Sequence, residues 1–254
     1  MVIQQKDWQK YIKTMRKLSE KATDEMMAYF RELQAAGISG SEGASLIVDR
    51  AYAVATKYGE GAGAAACQMY DAVAKLSKAR VPAAVPAPTA TFHETAKAVY
   101  GTLKMNAEIT PAAVGRLVKM AGVDTTMKNA IRDRAEWAWV PSGDTCAFCL
   151  TLASQGWLPA SEDQLNGGHA DHIHSNCDCT FAIRFNSDTE VEGYDPDQYR
   201  QMYDQAPGDN SKDKINAMRR EFYEENKEEI NEQKRDAYEK RKERESSEAE
   251  EFHV

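Results

Sequence analysis

Apolar side chains recur at steps of three and four positions along the first 35 residues. The stripe consists of Trp8, Tyr11, Ile12, Met15, Leu18, Ala22, Met26, Tyr29, Phe30 and Leu33. This spacing is typical of one face of a long amphipathic α-helix, which we expect to end near Gly37. Buried helix core is the first interpretation of the stripe, and an exposed docking surface is the alternative.

A second helix is predicted from about residue 45 to residue 76. Glycines interrupt its middle at Gly59, Gly61 and Gly63, and we expect them to weaken or bend it. No proline precedes Pro82, so neither helix contains the strongest helix breaker. The two helices predict an antiparallel N-terminal hairpin over residues 1–80.

Residues 81–91 contain three prolines and predict an extended hinge of polyproline geometry. Helices are expected to resume over residues 92–140. Thr110 followed by Pro111 is a helix start signal, and Asp124 is a candidate cap for a further helix that ends near Glu136. Trp137 then leads into a predicted turn at residues 141–144.

The segment 141–190 predicts a small mixed α and β module, with a short strand at residues 180–185. Residues 191–254 form a charged helical tail in which apolar positions are sparse from about residue 212 to residue 250. A long solvated helix is the first interpretation of that stretch. A partner-binding arm and a partly disordered end are the alternatives.

Composition narrows the function classes. The chain has 254 residues, 42% hydrophobic and 28% charged, and no apolar run approaches the ~20 residues that span a bilayer, so we expect no membrane insertion. The net charge of -8 argues against a broad DNA-binding surface but leaves local basic patches open. The predicted fold class is mainly α: an N-terminal helical hairpin and further helices, then a small zinc-stapled α+β module and a long charged C-terminal helix.

Four of the five cysteines lie close together in the sequence, and they predict a metal site. A Cys-x-x-Cys hook lets two thiolates reach one ion, and a downstream cluster of soft ligands can complete a tetrahedron around Zn²⁺. The candidate ligands are Cys146, Cys149, His174, Cys177 and Cys179, with His172 as a sixth group. We expect one structural Zn²⁺ per chain.

Six groups exceed four coordination positions, so the ligand set stays open. If residues 177–179 are extended, Cys177 and Cys179 point to the same face and both can reach the ion. If the segment turns, His174 and Cys177 are the better pair. A disulfide or buried thiols remain the alternative to zinc, although residues 1–17 show no signal-peptide pattern and a reducing compartment disfavours disulfides. Cys67 is expected to be a small buried hydrophobe.

Catalytic motifs are weak in this sequence. It contains no P-loop, dinucleotide fingerprint or nucleophile elbow. The enzymatic alternative is an HNH-like nuclease or another DNA-processing enzyme, because Asp171, His172 and Ile173 match the start of that motif. The spacing does not fit the rest of the HNH motif, which needs a second cysteine hook well downstream, because Cys177 comes only five positions after His172. We therefore expect a protein that is not an enzyme.

The run 138–157, which includes the first hook, resembles the C-terminal module of tailed-phage minor head proteins similar to the F protein of phage Mu. That family ends in His-x-x-Cys-x-Cys, matched by His174, Cys177 and Cys179, and many members carry the earlier hook. Asp178 replaces the usual arginine between the last two cysteines. The helical segment 58–104 resembles the front half of such proteins.

The resemblance implies a structural phage protein that assists head morphogenesis. Its expected partners are the portal protein and the major capsid or scaffold proteins, with local contacts to packaged DNA and none to a membrane. The expected location is the capsid interior or portal vertex of the virion, after assembly in the cytoplasm of the host bacterium.

Overall fold

The computed structural model describes residues 2–3, 5–141, 147–163, 180–228, 230–232, 234–236, 238–239 and 242. Helices make up most of these residues, and a small sheet accompanies them. In chain order the elements are β1 (Val2–Ile3), α1 (Gln5–Ala35), α2 (Gly40–Leu76), α3 (Phe92–Met105), a 3-10 turn (Ala107–Ile109), α4 (Thr110–Asp133), β2 (Glu136–Val140), α5 (Ala147–Ala153), β3 (Leu158–Pro159), β4 (Thr180–Arg184), β5 (Glu190–Val191), α6 (Pro196–Gln205) and α7 (Ser211–Glu225).

Helices α1, α2 and α4 pack on one another as a three-helix bundle. Leu18 of α1 lies beside Gly61 of α2, and Tyr29 lies beside Arg50, so α1 and α2 run antiparallel as predicted. The apolar stripe of α1 faces the other helices, because Met15, Ala22 and Met26 are buried. The interpretation of the stripe as core is confirmed, apart from the side chain of Trp8, which lies outside what the structure describes.

The second helix is longer than predicted and has no break. It begins at Gly40 and continues for 37 residues through the glycines that were expected to bend it. Those glycines allow neighbours to approach: a Cβ added at Gly59 would lie 2.9 Å from Thr89 Cγ2, and one at Gly63 would lie 3.3 Å from Pro86 Cβ. Packing against the connector therefore outweighs their low helix propensity.

Helix α3 begins with a capping box, in which Glu94 N–H donates to Thr91 Oγ1 and Thr91 N–H donates to Glu94 Oε2. Helix α4 is one helix from Thr110 to Asp133, so the prediction that Asp124 caps a separate helix is wrong. Buried residues continue on both sides of Asp124 at helical spacing, and burial between α1 and α2 keeps the helix continuous.

The residues that were expected to lead into a turn form the central strand of a sheet. Strand β2 lies between β3 and β4, and both pairings are antiparallel. Trp137 pairs with Ile183 and Trp139 pairs with Phe181 across β2 and β4, which confirms the predicted strand near residue 180. Both tryptophans are buried, because helices cover one face of the sheet and α5 packs on β2.

Two further features lie towards the two ends of the described chain. Strand β1 pairs in parallel with β5, with Val2 opposite Glu190. Helix α7 ends at Glu225, and Asn226 caps it before helical residues resume at 227. The single long helix expected from about residue 212 is thus interrupted where Asn226 Nδ2 donates to Phe222 O at 2.8 Å.

Candidate interaction surfaces and the cysteine-bearing helix

The proline-containing connector is extended, as its prolines predict, and it is bound along α2 and α4. We call residues 82–91 the strap. Val85 N–H donates to Asn129 Oδ1 at 3.0 Å, and Asn129 Nδ2 donates back to Val85 O at 2.8 Å. Two residues further on, Ala87 N–H donates to Thr125 Oγ1 at 3.0 Å. Side chains of α4 therefore replace the strand partner that this backbone lacks.

Charged side chains hold the start of the strap. Ala84 N–H donates to Asp71 Oδ1 of α2 at 2.8 Å. From α4, the guanidinium of Arg132 donates to Ala83 O at 3.2 Å and to Pro82 O at 3.1 Å. The polar contacts on both sides of the strap leave it little freedom to act as a hinge.

Beneath the strap lies a buried polar pair. Tyr70 is 1% exposed, and its hydroxyl reaches Asp133 Oδ2 at 2.8 Å and Asn129 O at 2.9 Å. Burial, together with the hydrogen bond to Asp133, raises the pKa of Tyr70 well above its usual value. Burial alone would raise the pKa of Asp133, but hydrogen bonds from Arg132 and Tyr70 lower it below its usual value. This pair stabilises the fold and is not exposed to a substrate.

Of the predicted metal ligands, only Cys149 lies among the described residues. Cys146, His172, His174, Cys177 and Cys179 lie outside them. Cys149 is fully buried on α5, where it belongs to the main core. Within the described ranges no group of three or more His, Cys, Asp or Glu side chains could hold a metal ion.

The helix that carries Cys149 is held from several sides. Leu150 packs with Met218 of α7 in a small second core. Tyr194 donates to Ala153 O at 3.0 Å, which satisfies a carbonyl at the end of α5. Burial raises the pKa of Tyr194, so this hydroxyl stays protonated and remains a donor. Cys149 is therefore held at a fixed position on a packed helix.

One buried donor on β2 has no acceptor among the described residues. Trp139 is 1% exposed, and its Nε1–H has no hydrogen-bond partner in the part of the chain that the structure describes. An indole N–H in such a position carries a desolvation cost unless an acceptor reaches it. Trp139 lies just before the first cysteine hook, on the strand against which α5 packs.

An apolar groove of about 830 Å³ opens at the end of the bundle where α1 turns into α2. The apolar side chains that line it include Met27, Phe30, Ile38, Ile47, Leu103 and Pro111. Gly37 and Gly40 form the turn with positive φ angles of 69° and 66°, and they place no side chain over the groove.

Two exposed apolar side chains lie in the chain segment that also supplies lining residues to the groove. Met105, at the end of α3, is 81% exposed, and Ile109 in the following turn is 41% exposed. The sequence alone did not identify Met105 and Ile109 as exposed, because the apolar residues of a short helix cannot be distinguished from core residues until the end of the helix is known. The signal was Asn106, whose side chain caps the next turn and so ends α3 directly after Met105. Exposed apolar side chains in a segment that lines an apolar groove are candidates for a protein-binding surface.

No described helix is long and apolar enough to cross a membrane. A comparison with curated proteins found no match, and neither did a comparison with solved structures. A model of the VG15 protein family matches residues 2–206. That match covers the helical bundle, the strap, the sheet and α5. The chain belongs to the VG15 family, a family of phage and viral gene products.

Proposed function

We propose that the protein is a minor head protein of a tailed phage, a structural component that assists head morphogenesis. The family match along residues 2–206 supports the coarser part of this proposal, a phage protein. The Cys-x-x-Cys and His-x-x-Cys-x-Cys spacings, which resemble the Mu F-like proteins, support the finer assignment. In this proposal the protein assembles in the host cytoplasm and resides inside the capsid or at the portal vertex.

We propose that the portal protein contacts the groove, together with the exposed Met105 and Ile109. Most of the stripe on α1 is core and is not free to bind a partner, although Phe30 near its end is partly buried and also lines the groove. The groove, by contrast, is lined by apolar side chains at one end of the bundle, and the exposed Met105 and Ile109 lie within two positions of lining residues in the sequence. An apolar helical segment of the portal protein is the occupant that this shape and chemistry favour.

Co-expression with the portal protein tests this assignment. Wild-type protein is expected to co-purify with the portal, whereas Met105→Glu combined with Ile109→Glu should weaken the complex at least tenfold, because a charge would be buried in the interface. Leu76→Glu is the matched control. Leu76 is 54% exposed and lies at the opposite end of α2. Equal loss in both variants, or wild-type protein that neither binds the portal nor occurs in purified virions, would contradict the proposal.

For the cysteine cluster we propose one structural Zn²⁺ per chain, bound by four of the groups Cys146, Cys149, His174, Cys177 and Cys179, with His172 nearby. One observation supports it: among the described residues the Trp139 N–H has no acceptor, and a bound thiolate could provide one. The burial of Cys149 fits zinc and the buried-thiol alternative equally. The ion would join the two hooks and add folding energy to the module. The cysteines would be deprotonated to bind it.

We also propose that the protein is not an enzyme. Asp171 and His172, which would carry the HNH-like alternative, lie outside the described residues. Incubation of the protein with plasmid DNA and Mg²⁺ or Mn²⁺ separates the two classes. Cleavage that disappears in His172→Ala would favour the nuclease, because that residue would then act on the DNA.

A further inference from the structure

The outer face of α1 carries a row of lysines. Lys10, Lys13, Lys17 and Lys21 are all exposed. At 3.6 residues per turn they fall within an arc of about 80° and extend for about 16 Å along the helix. The core positions of α1 lie on the opposite side. We call these four residues the lysine ridge.

The ridge differs from the rest of the chain in charge. Residues 10–21 contain five basic residues and one acidic residue, Glu20, whereas the whole chain has a net charge of -8. Other described cations near α1 are paired: Arg50 and Lys57 both bind Glu25, at 2.9 Å each. Among the described residues, no lysine of the ridge makes an ion pair.

The ridge opposes helix stability. Lys13, Lys17 and Lys21 follow one another at i,i+4 spacing, at which like charges repel. Acids follow only the second half of the ridge, where Glu20 and Asp24 come three positions after Lys17 and Lys21, whereas Lys10 and Lys13 are followed by no acid at i+3 or i+4. A row of lysines that makes no ion pair among the described residues is therefore better explained by an anionic partner than by folding.

The surroundings of the ridge indicate which anion it binds. None of the exposed large hydrophobic residues lies on α1, among the side chains that the structure describes. Protein interfaces are enriched in aromatic residues and depleted in lysine, whereas DNA interfaces are polar and strongly positive. Lysine is a point charge on a flexible stem, which suits phosphates read without sequence preference.

We propose that the lysine ridge binds the phosphate backbone of double-stranded DNA without sequence specificity. The inference rests on the proposed function for the source of the DNA, which would be the packaged genome. The contact is small and local, which is compatible with an acidic protein. About four phosphate contacts predict a slope of about -3.5 in log K against log salt concentration.

The test measures binding of the purified full-length protein to a 30-base-pair duplex between ~50 and ~200 mM salt, a range over which about four contacts lose roughly 100-fold in affinity. Replacement of all four ridge lysines by glutamine should reduce affinity at least tenfold and bring the slope close to zero. The matched control replaces Lys75, Lys78, Lys97 and Lys104, which are exposed outside α1, by glutamine and should keep affinity within threefold.

Folding gives an independent readout. The ridge variant should keep or raise the Tm, because it removes like-charge repulsion. A lower Tm would mean that the lysines support the fold, and this would overturn the inference. Loss of affinity in the control variant equal to that in the ridge variant, or equally tight binding of poly-glutamate, would also overturn it.

The outcome separates this inference from the proposed function. Wild-type protein that is found in phage heads but shows no duplex binding at ~50 mM salt, where such contacts are strong, would refute the ridge alone. Wild-type protein that binds DNA through the ridge but is absent from heads would refute the head assignment alone.

Discussion

Asn129→Ala is expected to release the strap from α4. Asn129 is 3% exposed and makes two hydrogen bonds with the backbone of Val85 and a third with Thr125 O at 2.7 Å. Each such bond contributes about 0.5–1.5 kcal/mol net. Val85 is exposed, so its freed backbone groups can bind water and offset part of the loss. We expect a loss of about 2–3 kcal/mol in the free energy of unfolding.

Thermal unfolding and hydrogen exchange measure this effect in complementary ways. A loss of that size lowers the Tm by about 4–12 °C in a protein of this length. The local effect should be larger, because amide protons of Val85 and Ala87 lie in the released segment. Their exchange should accelerate, while that of Met26 in the bundle core changes only with global stability.

Asn216→Ala is the matched control. Asn216 is exposed in the middle of α7, and removal of its side chain should change stability by less than about 0.5 kcal/mol. If Asn129→Ala matched this control in Tm and left exchange in residues 82–87 unchanged, the strap would not be held as described. The connector would then be the flexible hinge that its prolines first suggested.

Three further outcomes are expected. Gly59→Ala should not raise the Tm despite a gain of about 1 kcal/mol in helix propensity, because the new Cβ would contact Thr89. Gly101→Ala should raise the Tm, because no atom lies within 4 Å of its new Cβ. The raised pKa of Tyr70 in the folded protein provides stability that is present below about pH 10 and is lost as the pH rises towards the folded-state pKa. Tyr70→Phe should therefore be less stable than the wild type at pH 7. In alkaline denaturation from pH 9 to pH 11.5, the variant should lose less stability than the wild type. Elemental analysis of protein grown with zinc and never exposed to chelator should find about one Zn²⁺ per chain, and Cys146→Ser should unfold the 141–185 module; no zinc in the wild type would contradict the metal site.

The helical part of the fold could be predicted because its signal is periodic. Tyr11, Met15 and Ala22 lie on one face by spacing alone, and burial confirms them. The glycines of α2 have a second role, in tertiary packing, that the spacing of apolar residues does not reveal. Gly59 and Gly63 lower helix propensity locally, but they also fit against a strap that arrives from later in the chain, and only the tertiary contact shows which effect dominates.

The sheet was harder to predict from the sequence. Strand β2 is buried on both faces, so Trp137, Ala138, Trp139 and Val140 show no alternation of apolar and polar positions. The exposure of Met105 and Ile109 was not predicted, because apolar residues are assigned to the core by default. The metal ligands remain a prediction from spacing, because Cys149 alone lies among the described residues.

The parallel pairing of β1 with β5 affects the order in which parts of the fold can form during synthesis. Val2 emerges from the ribosome some 188 residues before its partner Glu190, a delay of roughly 10–40 s at usual elongation rates. During that interval the bundle can form, but the first strand has no edge to join. Closure of this pair is therefore a late event, and a bulky tag fused directly before Met1 would interfere with that closure more than with formation of the bundle.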